Sequence, residues 1–230
     1  MDNIDTWIFD LDNTLYPASA NLFPQIDKRM KAFISNLLQL SPDDAFKLQK
    51  EYYWKYGTTL RGLMLNHKVE PDEFLAYVHD IDHSVLKPNR QLGAVLQTLP
   101  GRKFIYTNGS ERHAINVADR LGISHLFDGI FDIRASNYIP KPEPAPYRDL
   151  VARHGIDATR AIMFEDIHRN LKPAAALGMS TVWVSHPENP AAPGEDLSHC
   201  RFITDDLIYW LQTALPRKPS TASLKLTPLN

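Results

Sequence analysis

Three short apolar runs in this chain pass straight into polar clusters, and that pattern limits the folds open to it. Thr6-Trp7-Ile8-Phe9 leads into Asp10-Leu11-Asp12-Asn13-Thr14, Lys103-Phe104-Ile105-Tyr106 into Thr107-Asn108-Gly109-Ser110, and Ala161-Ile162-Met163-Phe164 into Glu165-Asp166. Runs of four rich in aromatic and branched residues read as buried strands. Helical patterns alternate with them: Glu111 to Leu121 closed by Gly122, Tyr147 to His154 closed by Gly155, and Asn170 to Leu177 closed by Gly178. Ile130 to Ile133 and Thr181 to Val184 add two more short strands. Strand and helix in alternation predict an α/β fold, a parallel sheet with helices on both faces. Ligands bind such sheets beyond the carboxyl ends of the strands, which is where the polar clusters fall.

Between the first strand and the second the character is different. Leu22, Ile26, Met30, Phe33, Ile34, Leu37 and Leu38 recur at helical spacing from Asn21 to Gln39. Ser41-Pro42-Asp43-Asp44 then reads as a helix start, with Ser41 as N-cap, and that helix stops at Gly57. Thr58 to His67 and Pro71 to Val78 complete an all-helical insert from Pro17 to Lys87. His186 to Gly194 is Pro-rich and reads as a surface loop. The segment from Pro216 has no periodicity and reads as a disordered tail.

Composition excludes several classes. The formal net charge of -2 offers nothing to nucleic acid or to an anionic membrane surface. No apolar run approaches the roughly 20 residues that span a bilayer, and the acidic N-terminus lacks the features of a signal peptide. Cys200 is the single cysteine, so no internal disulfide forms and a reducing, cytoplasmic setting is expected. With His199 beside it, Cys200 reads as a structural thiol in a loop rather than a nucleophile.

Taken singly, each cluster has an ordinary explanation. Asp12-Asn13-Thr14 suits an Asx turn, Thr107 to Ser110 a turn and helix cap, Glu165-Asp166 a helix N-terminus, and Lys141 between Pro140 and Pro142 an exposed loop lysine. Together they suit phosphoryl transfer, which needs a nucleophile, a cation and donors for the remaining charge. Asp10 offers the nucleophile. Asp10, Glu165 and Asp166 offer the hard oxygens that magnesium takes, Thr107 and the amides after it offer hydrogen bonds, and Lys141 a point charge. Asp12, at i+2 on an extended chain, shares a side with Asp10 and is left as the acid/base.

With these motifs in this order, the chain resembles the haloacid dehalogenase-like hydrolases as far as about residue 214. The resemblance implies a Rossmann-like core of residues 1–16 and 88–215, a helical cap of residues 17–87, and a tail of residues 216–230. It implies Mg2+ as cofactor, held by Asp10, the Asp12 main-chain carbonyl and Asp166 with Glu165 close by, and an aspartyl-phosphate intermediate on Asp10. Thr107, Asn108 and Lys141 are the implied phosphate-binding residues. An acid at Asp12 implies a phosphohydrolase rather than a dehalogenase. Two departures stand out: Asn13 replaces a common glycine, and Glu165-Asp166 replaces a pair of aspartates, as in some members acting on sugar phosphates.

Tyr56-Gly57-Thr58-Thr59-Leu60-Arg61-Gly62-Leu63, with Asp10 to Tyr16 and Val78-His79-Asp80-Ile81, resembles the pyrimidine 5'-nucleotidase branch, which implies UMP or CMP as substrate. On that reading Tyr56 stacks a base, Thr58 lies beside it, and Arg61 pairs with phosphate or base oxygens. For each, a purely structural part in the helix is an equal reading. Phosphoglycolate or sugar-phosphate phosphatases and phosphomutases share the four motifs. From another class, a receiver-like signalling phosphoacceptor also uses aspartate, threonine and lysine on a parallel sheet. A small phosphomonoester is the expected partner, and oligomeric state is not legible.

Overall fold

The computed structural model describes residues 3–187 and 189–214. Six strands form one parallel sheet in the order β3-β2-β1-β4-β5-β6. They are β1 (Thr6–Phe9), β2 (Arg102–Tyr106), β3 (Gly129–Phe131), β4 (Ala161–Glu165), β5 (Ser180–Val184) and β6 (Phe202–Thr204). The chain runs outward in one direction from β1 through β2 to β3, then restarts beside β1 at β4 and runs outward the other way. The crevice where the direction changes is therefore flanked by β1 and β4. In register, Phe9 pairs with both Ile105 and Phe164, so the residues after all three strands emerge at one level.

Alternation of side chains divides the core into two layers. Trp7, Phe9, Ile105, Ile162 and Phe164 face one side, packed against α5 (Arg90–Thr98), α6 (Glu111–Leu121) and α9 (Leu207–Ala214). Ile8, Phe104, Tyr106 and Met163 face the other, against α7 (Pro144–His154) and α8 (Lys172–Ala176). Both faces being covered explains why the strands are continuous apolar runs.

The insert after β1 is all-helical: α1 (Phe23–Leu38), α2 (Pro42–Tyr56), α3 (Thr59–His67) and α4 (Pro71–Val78). These helices bury a third apolar cluster of their own, around Ile26, Ile34, Leu63 and Phe74. Ser41 caps α2 by accepting the Asp44 amide, and the Thr58 hydroxyl does the same for Arg61 at the start of α3. At Gly62 a Cβ would stand 2.4 Å from Cγ of Tyr52, so α2 and α3 approach closely because that residue has no side chain.

Some elements differ from the sequence reading. Helix α5, with Leu92, Val95 and Leu96 buried and Asn89 capping the Leu92 amide, lies in a stretch to which the pattern assigns nothing. Strand β3 ends at Phe131 because Asp132 turns the chain, its carboxylate accepting the amides of Glu111 and Ala135. Helix α7 begins at Pro144, whose missing N–H is harmless in a first turn. Residues 168–176 form a 3-10 turn, His168–Leu171, followed by the short α8, with Pro173 in its first turn. The edge strand β6 and helix α9 complete the core unannounced by pattern, and the expected tail lies outside the described residues. No helix among the described residues is long and apolar enough to cross a membrane.

Candidate active site

Asp10 follows the last residue of β1, and its amide donates to the Phe164 carbonyl, which fixes it against β4. Glu165 ends β4 and Asp166 follows, so a carboxylate from each side of the crevice meets the other. Lys141, in the loop before α7, reaches both: its Nζ is 2.6 Å from Asp10 Oδ1, 2.6 Å from Glu165 Oε2 and 3.0 Å from the Tyr106 carbonyl at the end of β2. Lys141, for which an exposed loop position is the ordinary alternative, is 2% exposed. Its loop is held from β2, where the Asn108 side-chain oxygen accepts the Lys141 amide at 2.8 Å. Thr107, also buried, accepts the Gly109 amide at 2.9 Å and so shapes the turn after the strand.

Among the described residues, Asp10, Glu165 and Asp166 are the group whose oxygens stand close enough to hold one metal ion, all within 4.8 Å of one another. Their charge is not balanced by the protein. Burial, with the Glu165 carboxylate beside it, pushes Asp10 up to about 7 despite Lys141, and the same two causes raise Asp166 well above the usual carboxylate range. Lys141 is raised by Asp10 and Glu165 although its burial opposes this, so it stays an ammonium. Three hard oxygen donors against one ammonium fit a divalent cation. Glu165 is further tied down, its Oε1 accepting Asn170 Nδ2 at 3.1 Å and the Ile167 amide at 3.3 Å.

Asp12 lies beside this cluster in different surroundings. Burial raises its carboxyl, but the His113 imidazole and the Tyr16 hydroxyl more than offset that and hold it below the usual range. His113 Nε2 is 2.9 Å and Tyr16 OH 2.5 Å from Asp12 Oδ1. Neither residue has a part in the chemistry that the sequence reading assigns, although Tyr16 closes the Asp10 to Tyr16 stretch. Tyr16 is four residues beyond Asp12, a spacing that brings two side chains together in a turn, whereas nothing in the sequence ties His113 to Asp12. Asn13, at the position of the common glycine, has φ of 60°, which asparagine tolerates better than most residues.

A cavity of about 580 Å³ opens above these groups, floored by the core residues Asp10, Asp12, Thr107, Lys141 and Asp166 and roofed by the helical insert. On α2 its lining runs Gln49, Lys50, Tyr53, Trp54 and then Gly57, one face of a helix. Of the three cap residues singled out by sequence, only Thr58 lines the cavity. Tyr56 is rotated off that face and packs edge-on to Tyr52, with its hydroxyl toward Asn66, and Arg61 also lies outside the lining. What the sequence reading passes over is Tyr53 and Trp54, whose rings each sit 4.7 Å from the Arg169 guanidinium of the core. The i, i+4 pattern through Gln49, Tyr53 and Gly57 carries that signal. Cys200 packs against the second core layer, where burial pushes its thiol up to about 11, so it is an unreactive thiol.

Residues 4–178 match the family description haloacid dehalogenase-like hydrolase. Phosphate metabolism protein 8 of Saccharomyces cerevisiae is 30% identical over 194 residues, covering 76% of this chain, which spans only 60% of that protein's length. Enolase-phosphatase E1 from one strain of the same yeast is 25% identical over 84% of this chain and 93% of its own. Among solved structures, a HAD phosphatase from Thermococcus onnurineus aligns with a TM-score of 0.61 at 17% identity, covering 92% of this chain and 97% of its own. The magnesium-bound HAD-hydrolase YfnB of Bacillus subtilis gives 0.60 at 14%, over 91% and 98%. The family match takes in more than half of the sequence, including the β1 acids, Lys141 and the acids of β4, and the chain belongs to the haloacid dehalogenase-like hydrolases.

Proposed function

We propose that this chain is a magnesium-dependent phosphomonoester hydrolase working through an aspartyl-phosphate on Asp10, with pyrimidine nucleoside 5'-monophosphates as its preferred substrates. The observation that carries the reading is Asp12, a second acid held clear of the Asp10–Lys141–Glu165 cluster and lining the same cavity. Magnesium held by Asp10, Asp166 and the Asp12 carbonyl, with Glu165 close by, would neutralise charge on the phosphate oxygens. Lys141 and Thr107 supply the remaining charge and hydrogen bonds, and Asn108 keeps the lysine loop in place. An Asp10 oxygen attacks phosphorus, and the electron pair of the breaking P–O bond goes to the leaving oxygen, which takes a proton from Asp12. In the second half Asp12 takes a proton from water as its oxygen displaces Asp10 from phosphorus. An Asp12 held ionised suits that second half, and an arriving phosphate raises its proton affinity for the first.

The cavity volume falls in the range of sites for nucleotide-sized ligands and exceeds what phosphoglycolate needs. The insert, proposed as a cap over residues 17–87, places Tyr53 and Thr58 over the leaving group, and we assign to Tyr53 the base-stacking part first expected of Tyr56. Arg169 takes the part expected of Arg61. The phosphatase names of the yeast relative and of the Thermococcus fold neighbour support the chemistry, and the magnesium in YfnB supports the cation. The test is a magnesium-dependent phosphate-release screen across nucleoside monophosphates, sugar phosphates and phosphoglycolate. On this reading UMP and CMP are expected to exceed AMP and GMP clearly, the insert closing over one ring and not over two. Purines turned over equally well would remove the pyrimidine assignment, and no release from any ester would remove the hydrolase.

A further inference from the structure

The acid/base carboxylate has a partner from outside the four motifs. His113, in the first turn of α6, is completely buried, and a histidine cut off from solvent needs partners for both ring nitrogens. Its Nε2 meets Asp12 Oδ1, and since a carboxylate only accepts, the proton sits on Nε2. Its Nδ1 is 3.4 Å from His83 Nε2, and the His79 ring lies flat against it at 4.4 Å with 7° between the planes. Ser110 ties the group together, its hydroxyl accepting the His113 amide and standing 2.9 Å from His79 Nδ1. His79 and His83 both belong to the segment that returns the chain from the insert to the core. Packing would need only an apolar side chain of similar volume here; four polar residues arranged around one imidazole need another reason.

We propose that His113 is a positioning residue for the hydrolysis: with Tyr16 it holds Asp12 Oδ1, so that Oδ2 is the oxygen presented to the leaving group. Among the described residues both hydrogen bonds to Asp12 side-chain oxygens fall on Oδ1 and none on Oδ2. The inference rests on the general-acid reading of Asp12 given above. In the step concerned, the P–O bond breaks toward the leaving oxygen and the proton from Asp12 moves to that same oxygen. His113 neither touches phosphate nor gains or loses a proton; it fixes where the carboxyl points. Because His79 and His83 hold the imidazole, that aim also depends on the seating of the return segment.

The test compares kcat/KM on two aryl esters of similar size, 4-nitrophenyl phosphate and phenyl phosphate, with magnesium present. Nitrophenolate leaves readily without a proton, whereas phenolate needs one far more. His113→Ala is expected to lose about ten- to a hundredfold on phenyl phosphate, within the usual range for acid–base catalysis, and at most about threefold on the nitrophenyl ester. His113→Gln, whose amide nitrogen can donate to the same oxygen, is expected to recover most of the loss. Tyr16→Phe, which removes the second hydrogen bond without opening a cavity, is expected to move the ratio the same way if His113→Ala fails to fold. Equal losses on both esters, with no recovery in His113→Gln, would overturn the proposal and leave His113 a core residue. Asp12→Asn serves as the reference: if its own losses do not depend on the leaving group, the general-acid reading falls first and this inference with it. A leaving-group effect in Asp12→Asn but in neither His113 nor Tyr16 variant overturns the inference alone.

Discussion

Asp10→Asn separates what the active site gains in chemistry from what it costs in stability. The Asp10 carboxyl moves from 3.8 in an unstructured chain to about 7 in the folded protein, through burial and the Glu165 charge. Between those values the unfolded chain has released the proton while the folded chain keeps it, so raising the pH favours unfolding. At a little over 1 kcal/mol per unit the whole penalty is about 4 kcal/mol, and more than half of it accumulates between pH 5 and 7.5. Asp166, raised by burial and the Glu165 charge and in part by Asp10 itself, adds a slope of the same sign, so Asp10→Asn removes the Asp10 share together with part of the Asp166 share.

The assay is urea unfolding in the presence of a chelator at pH 5 and pH 7.5, followed by tryptophan fluorescence and far-UV circular dichroism. Buried His79, held neutral, contributes a slope of the opposite sign in both proteins, so the comparison is between the two slopes: Asp10→Asn is expected to fare better than the wild type over that interval by about 2–3 kcal/mol. The same variant should release no phosphate, because its amide is near-isosteric but not nucleophilic. Magnesium at pH 7.5 should stabilise the wild type more than the variant, since a ligand that binds only the folded state stabilises it by mass action. Identical pH slopes for the two proteins, or a steeper loss in Asp10→Asn, would refute the account of an uncompensated buried carboxylate.

Three further outcomes are expected. Asp166→Ala should raise the magnesium concentration needed for half-maximal phosphate release or abolish release, and an unchanged titration would take Asp166 out of the cation site. Tyr53→Ala should lower kcat/KM for UMP by about tenfold, as loss of a base–aromatic stack does, while 4-nitrophenyl phosphate changes little; equal loss on both substrates would return Tyr53 to a supporting part. Gly62→Ala, whose new Cβ meets the Tyr52 ring at 2.4 Å, should cost about 1–3 kcal/mol in a thermal or denaturant unfolding measurement, as overpacking does.

The legible parts of this molecule are those where local chemistry and global position agree. β1, β2 and β4 are buried on both faces, so each carries an unbroken apolar stretch, Trp7 to Phe9, Phe104 to Tyr106 and Ala161 to Phe164. Helices α2 and α6 carry their own caps in Ser41 and Ser110 and their own stops in Gly57 and Gly122. Less legible are elements that exist through their neighbours. β6 is three residues long and half exposed, a strand because β5 offers it an edge, and α5 is nine residues whose register is set by packing on the sheet. The site divides in the same way. Asp10, Asp12, Thr107, Lys141, Glu165 and Asp166 lie at strand ends or in a marked loop, where the topology alone brings them together. His113 reaches Asp12 across 101 positions, and Tyr53 differs from Tyr56 by less than one helical turn, so distance along the chain carries no trace of the first and composition none of the second.

The charge arrangement also bears on the order in which the site fills. Asp10, Glu165 and Asp166 converge on one point, and Lys141 is 2.6 Å from two of them, so with all three acids ionised one ammonium would answer three charges. A phosphate monoester brings two more negative charges at neutral pH and would meet net repulsion in a buried, weakly screened place. On the proposed function, a divalent cation bound beforehand would cancel that excess and lower the proton affinity of Asp10, leaving it ionised for attack. Lys141 is tied to the protein by three hydrogen bonds and cannot follow the phosphate through the reaction without giving up Asp10 or Glu165. On the proposed function its charge reaches the phosphate from a fixed place, and the same three bonds hold Asp10 and Glu165 in position, which a mobile surface lysine would not do.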